Sequence, residues 1–258
     1  MTNKEILEIA LTQSAYDLSC TPEDLMNGKR TVVISRKNDK ARRYLTLPFI
    51  CNIVTYGRGV VASVSEEHAD FVNGYINSYE PYHLFETPNL HVLEDHFEKR
   101  KARICFMAEY FLPDINKLEM HENRYEIRPV CKDEFKELYR PEWSNALCES
   151  RKELDVMAFG AYDGNKLIAL SGCSADCDTM RQIGIDVLPD YRRRGIASAL
   201  TSKIALETLE RGKVPFYCAA WSNIASVRNA ISSGFRPAWV EMTVKDEEFV
   251  SGLNGTKA

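Results

Sequence analysis

The alternation of apolar and polar positions is most regular in the second half of the chain. Residues 156–162 and 166–173 are apolar runs joined by Asp163-Gly164-Asn165, a turn sequence that predicts a β-hairpin. Before it, residues 124–130 alternate like a strand, residues 132–139 form a short amphipathic helix, and the polar stretch 149–155 is a candidate second helix. After it, residues 183–188 read as a strand that meets Pro189-Asp190-Tyr191. A helix is expected over 196–211, closed by Gly212. Ile196, Leu200 and Ile204 repeat at helical spacing to face a sheet, while Lys203, Glu207 and Glu210 face water. A strand over 214–221, a short helix over 224–233 stopped by Gly234, and a final strand or pair of strands over 235–244 complete the half.

The first half alternates less cleanly. Thr2 and Glu5 stand at capping-box spacing ahead of Ile6, Ile9 and Ala10, which predicts an N-terminal helix rather than an apolar signal core and places the protein in the cytoplasm. Strands are expected over 31–35 and 103–110, a hairpin over 49–56 and 60–64 around Gly57-Arg58-Gly59, and a helix over 66–78. Residues 111–123, with Pro113 and mixed charges, are the expected boundary. The division is then an α+β domain over 1–115 and a second domain over 124–258.

Composition narrows the class. With 258 residues, 45% hydrophobic and 27% charged, the chain is an ordinary globular protein with room for two domains. A formal net charge of −4 argues against general nucleic-acid binding, and no apolar run reaches membrane-spanning length. The eight cysteines sit mostly in apolar runs such as Ile50-Cys51 and Tyr217-Cys218, so free thiols are expected.

Candidate chemistry concentrates after the strand 183–188. The turn ends in Arg192-Arg193-Arg194-Gly195-Ile196-Ala197, where a strand delivers the chain to a helix N-terminus. Unpaired amides and the positive end of the helix dipole favour phosphate oxygens there. Gly195 allows close backbone approach, and the three arginines add cationic charge. Downstream, Asn223, Ser226, Gly234 and Phe235 follow the strand 214–221.

Together these two segments resemble the signature of the GNAT N-acetyltransferase superfamily: Arg/Gln-x-x-Gly-x-Gly/Ala, then Asn-x-x-Ser/Ala…Gly-Phe. The resemblance spans residues 124–244. It implies an α/β fold with a mixed, mostly antiparallel sheet whose central strands splay between flanking helices. The N-terminal α+β half resembles a partial second copy of that layout, without a second Arg-x-x-Gly-x-Ala turn.

The resemblance further implies acetyl-CoA as cosubstrate and direct transfer of its acetyl group to a primary amine of a small-molecule or amino-acid-like acceptor. Coenzyme contacts are then expected from Ile185, Asp186, Val187, Arg192, Arg193, Arg194, Gly195, Ile196, Ala197, Asn223 and Ser226. An amide near 186–188 would face the developing oxyanion, and the arm would thread between splayed strands. Many members carry Tyr seven residues after that Asn, but here the position is Ala230. Tyr217 is the substitute acid candidate and Asp186 the nearest base candidate, with Gln182 able to position a water. Tyr139, Trp143 and Asn145 are acceptor-pocket candidates. Core packing is an equal reading for Trp143.

Two other readings stay open: an acyl-CoA sensor without turnover, motivated by Ala230, and an N-terminal module that recruits a protein substrate. A homodimer is also left open. Gly57-x-Gly59-x-x-Ala62 fits a dinucleotide fingerprint formally, but the following valines read as strand. Cys173 and Cys177, flanked by Asp176 and Asp178, have no partner pair at zinc spacing, so buried thiols and no metal are expected. His91 and His96 read as surface histidines, and Lys99-Arg100-Lys101 as a solvated face.

Overall fold

The computed structural model describes residues 1–255. In chain order these form α1 (Asn3–Leu18), α2 (Pro22–Met26), β1 (Arg30–Ile34), β2 (Cys51–Thr55), β3 (Val60–Val64), α3 (Ala69–Ser78) and α4 (Thr87–Glu98). Then come β4 (Ala102–Pro113), β5 (Glu126–Pro129), α5 (Phe135–Leu138), β6 (Asp155–Asp163), β7 (Lys166–Ser174) and β8 (Met180–Val187). The chain closes with α6 (Ile196–Glu210), β9 (Val214–Ala219), α7 (Ile224–Ser232), β10 (Phe235–Asp246) and α8 (Glu247–Leu253). Two compact units emerge: one from Met1–Ala10 and Phe111–Pro237, the other from Leu11–Tyr110 and the chain from Ala238 onward.

The unit built on 111–237 holds adjacent strands in the order β9-β8-β7-β6-β5. β5–β6, β6–β7 and β7–β8 are antiparallel, and β8–β9 is parallel. Alternation along β8 explains how it is covered. Ile183 joins Leu200 and Ile204 of α6 in a core with Phe159, Ile168, Tyr217 and Phe235. Leu200 and Ile204 are fully buried, each contributing about 1.5–3 kcal/mol of apolar transfer. Val130, Phe135, Trp143, Ala146 and Leu147 pack with Ala158 and Leu170 in a second cluster.

In the other unit, adjacent strands run β1-β3-β2-β10, with β1–β3 parallel and the rest antiparallel. Ile53, Ala62, Val64, Met242 and Val244 form a core with Val72 and Ile76 of α3 and Leu93 and Phe97 of α4. In the same unit Arg42 is buried between Asp17 and Glu241, and Asn52 donates to Glu241. Burial raises the Asp17 carboxyl above its ordinary range, against the opposing charge of Arg42.

The predicted elements and the structure differ in a few places. Thr2 and Glu5 do form the reciprocal cap. The expected helix 132–139 is a 3-10 turn followed by the single turn α5, and 149–154 is a 3-10 segment broken at Arg151. Residues 235–246 form one strand, β10. Helix α4 was not foreseen. It makes His96 half-buried rather than a surface residue, with its ring stacked 3.6 Å from that of Phe71 and Nε2 3.2 Å from His68 Nδ1. Burial pushes the His96 imidazole down to about 4. All eight cysteines are free, and no helix among the described residues is long and apolar enough to cross a membrane.

Candidate active site

Strands β8 and β9 pair at Met180↔Val214, Arg181↔Pro215, Gln182↔Phe216 and Ile183↔Tyr217, and among the described residues their ladder ends there. On its other edge β8 stays paired with β7 as far as Ala169↔Val187. From Gly184 to Val187, therefore, β8 keeps one neighbour while β9 runs on through Cys218 and Ala219. A parted pair of parallel strands leaves backbone donors and acceptors along one edge, and these can be satisfied by an extended ligand lying as a strand would. Gln182 Nε2 donates to Cys218 Sγ at 3.1 Å, just at the fork.

The arginine turn follows at once. Arg192, Arg193, Arg194 and Gly195 are all exposed. Gly195 is left-handed (φ 73°, ψ 3°) at the N-cap of α6, and its carbonyl accepts the opening helical bond from Ala199. The first amides of a helix lack intrahelical partners and point outward along the axis. The three side chains do not act alike, which departs from the expectation that all face a phosphate. Arg192 Nε donates to Val187 O (3.0 Å), and Arg194 donates to Asp190 O (2.8 Å) and to Tyr125 OH (2.8 Å). Asn123 Nδ2 holds Arg194 O from the other side (3.1 Å). Two arginines thus brace the turn, and Arg193, itself at φ 60°, is its third cation.

Opposite β8 lies the segment of Trp143 and Asn145. Asp186 Oδ2 accepts from the amides of Asn145 (2.8 Å) and Ala146 (2.9 Å), and Oδ1 accepts from Asn145 Nδ2 (2.7 Å). This carboxylate anchors a loop, and the base role expected of it meets three donors already in place. Two glycines, cross-strand partners at Gly172↔Gly184, make the close approach feasible. A Cβ at Gly184 would lie 1.8 Å from Asn145 O, and one at Gly172 would lie 2.1 Å from Ala146 O. Sequence reasoning missed this glycine pair. The available signal was a glycine inside each of two predicted strands.

The other candidates divide. Asn145 is exposed and beside Asp186, as a pocket residue should be. Trp143 is buried in the core with Phe135 and Leu147, which favours the packing reading. Tyr217 departs from its proposed position. Its ring is 3% exposed among Phe111 and Phe235, its OH meets Ser226 Oγ at 2.7 Å, and burial raises its phenol. The same bond occupies Ser226, whose amide donates to Asn223 Oδ1 as the cap of α7. Asn223 Oδ1 is thus engaged as the cap of α7. Ala230, where many family members have Tyr, is wholly buried. Ile185, Val187, Ile196 and Ala197 lie on the fork strand and the start of α6, as expected.

Tyr139 donates to Asp155 Oδ2 (3.2 Å), which also accepts from the Cys148 amide (2.9 Å). Burial pushes the Asp155 carboxyl from its ordinary 3.8 up to about 6, despite those two bonds. The folded chain therefore holds this proton more tightly than the unfolded chain. The penalty for ionising it is complete above about pH 6 and is relieved as pH falls through that value. An Asn side chain accepts the same bonds without the charge. Asp155→Asn is expected to melt at or above the parent's temperature at pH 7.5, with the difference shrinking toward pH 5. A constant difference across that range would show that Asp155 is ionised throughout.

Comparison with known proteins follows the same lines. A family model described as GNAT acetyltransferase matches residues 84–238. None of the curated proteins matched. Among solved structures, a GCN5-related N-acetyltransferase from Kribbella flavida aligns at TM-score 0.49 and 16% identity, covering 61% of this chain and 63% of that one. A GNAT-family acetyltransferase from Novosphingobium aromaticivorans DSM 12444 aligns at TM-score 0.46 and 18% identity, over 56% and 66% of the two chains. An aminoglycoside N-acetyltransferase AAC(6')-Iy, in complex with CoA, aligns at TM-score 0.36 and 20% identity, over 47% of this chain and 93% of that one. The chain thus spans slightly less than two thirds of the Novosphingobium and Kribbella proteins.

Proposed function

The chain belongs to the GNAT acetyltransferase family, and from that premise we propose an acetyl-CoA-dependent N-acetyltransferase that acts on a primary amine of a small-molecule or amino-acid-like acceptor. The observation that carries this reading is the fork: β8 and β9 part after Ile183↔Tyr217, directly before the exposed amide turn of residues 192–197. The turn amides and the dipole of α6 would hold the diphosphate. The open edge of residues 184–187 would pair with the pantetheine arm and offer an amide to the oxyanion. The NH2 group of Asn223 would hold the arm from the β9 side.

An alkylammonium acceptor, with a reference pKa of about 10.4, must lose a proton before it attacks the thioester carbon. Water held near Gln182 suits that step better than Asp186, whose oxygens are occupied. The departing thiolate takes its proton from solvent, since Tyr217 is turned into the core. Asp186→Asn is then expected to lower kcat/KM for the amine about tenfold, because an amide cannot accept all three loop bonds. It should leave the alkaline limb of the pH–rate profile in place, and a flattened limb would restore Asp186 as the base.

The buried Ala230 favours one rival, a coenzyme sensor without turnover. Release of free thiol from acetyl-CoA across a panel of primary amines decides between them. Amine-dependent release supports the transferase. Tight CoA binding with no release on any amine supports the sensor.

A further inference from the structure

A cavity of about 610 Å³ opens at the hairpin end of β6 and β7, beside the turn that follows β8. The Tyr125 phenol oxygen accepts from two guanidiniums at once, Arg124 Nη2 at 2.6 Å and Arg194 Nη1 at 2.8 Å. These contacts hold the phenol below its usual range, Arg124 first among them. Lys166 Nζ and the Arg194 guanidinium both lie 5.2 Å from the centre of the Tyr191 ring. Three cations therefore converge on two neutral rings.

Two of the three acidic groups of the lining, Asp163 and Glu126, have partners of their own. Asp163 Oδ2 accepts from Tyr191 OH (3.0 Å), and Glu126 faces Arg128 at 3.8 Å, although Asp163 also lends its charge to Arg124. Asp190 meets Arg194 through its backbone carbonyl. A phenol shared by two guanidiniums uses one donor of each. Arg124 meets the phenol through Nη2, which leaves its guanidinium edge able to take a tetrahedral oxyanion, whereas Arg194 has Nη1 on Tyr125 and Nη2 on Asp190 O and contributes chiefly its charge.

We infer that this cavity binds a small phosphate monoester, held by Arg124, Lys166 and Arg194 beside Tyr125 and Tyr191. The cavity draws its own cations Arg124 and Lys166 from β5's approach and the start of β7, and it meets the proposed coenzyme site at the turn of Asp190, Tyr191 and Arg194. It makes Arg194 a shared element: its backbone belongs to the coenzyme turn and its side chain to the second site.

The test is inorganic phosphate titrated into the full chain by NMR, with and without saturating CoA. Phosphate is expected to bind in both cases and to shift the Tyr125 and Tyr191 ring resonances. The double variant Arg124→Gln/Lys166→Gln is expected to weaken phosphate binding at least about tenfold. Lys166→Gln alone, at the exposed start of a hairpin strand, serves if the double variant does not fold. Gly195→Glu, outside the cavity lining, should abolish any phosphate held at the α6 N-terminus while leaving the phosphate-induced Tyr125 and Tyr191 shifts in place. Displacement of phosphate by CoA, or unchanged affinity in the variant lacking both cations, overturns the proposal.

Discussion

Gly195→Glu is expected to weaken CoA binding about a hundredfold, or roughly 2.8 kcal/mol at 1.4 kcal/mol per tenfold, while the protein stays folded. Gly195 sits at φ 73° at the head of α6, and a Cβ there meets nothing nearer than Asn123 Nδ2 at 3.6 Å. Space is therefore available, and the conformational cost is the left-handed penalty of about 1–2 kcal/mol. A carboxylate at a helix N-terminus partly offsets that cost. What the substitution changes most is the ligand side. It sets a negative charge among amides whose proposed occupant is a diphosphate, and it puts atoms where the backbone must come close. Gly195→Ala separates the two effects, since it has the strain without the charge and is expected to cost less than tenfold. Calorimetry with CoA, beside a melting curve, is the measurement. An unchanged affinity in a folded Gly195→Glu protein would remove this turn from the coenzyme site.

Gly184→Ala should act on the opposite substrate. The added methyl would stand 1.8 Å from Asn145 O and 2.8 Å from Asn145 C, both backbone atoms, so the loop itself must move. Moving it breaks the bonds from the Asn145 and Ala146 amides to Asp186. Hydrogen bonds to a charged group are each worth about 1.5–3 kcal/mol. Displacements near 1 Å cost catalysts on the order of a hundredfold. A fall of at least that size in kcat/KM for the amine is expected. CoA affinity should fall less than that, because the turn at 192–197 is untouched and the methyl points at the loop rather than along the open edge of residues 184–187. Equal losses toward both substrates would mean that the loop supports the whole unit rather than the acceptor side.

The pattern of residues determined much of this on its own. The hairpin around Gly164, the strand before Pro189, helix α6 and its glycine, and the strand–Asn223–helix sequence are local features. Side-chain periodicity and turn residues specify them without reference to distant chain. The same local logic located the anion-favouring turn, because a glycine and a helix start need only each other.

Tertiary structure decided the rest. Which way Asp186 faces depends on strand parity and on what packs above β8, namely a loop forty residues earlier in the chain that fits only over Gly172 and Gly184. Tyr217 turns inward because the α6 side of the sheet needs apolar filling. Arg192 and Arg194 look alike in the sequence, yet Val187, Asp190 and Tyr125 take their donors. The division of the chain is also non-local: the segment from Ala238 belongs with Leu11–Tyr110, since β10 pairs with β2 across nearly two hundred residues. Local propensity can announce a strand, but its partner, register and exposed face are settled only when remote segments compete for the same surface.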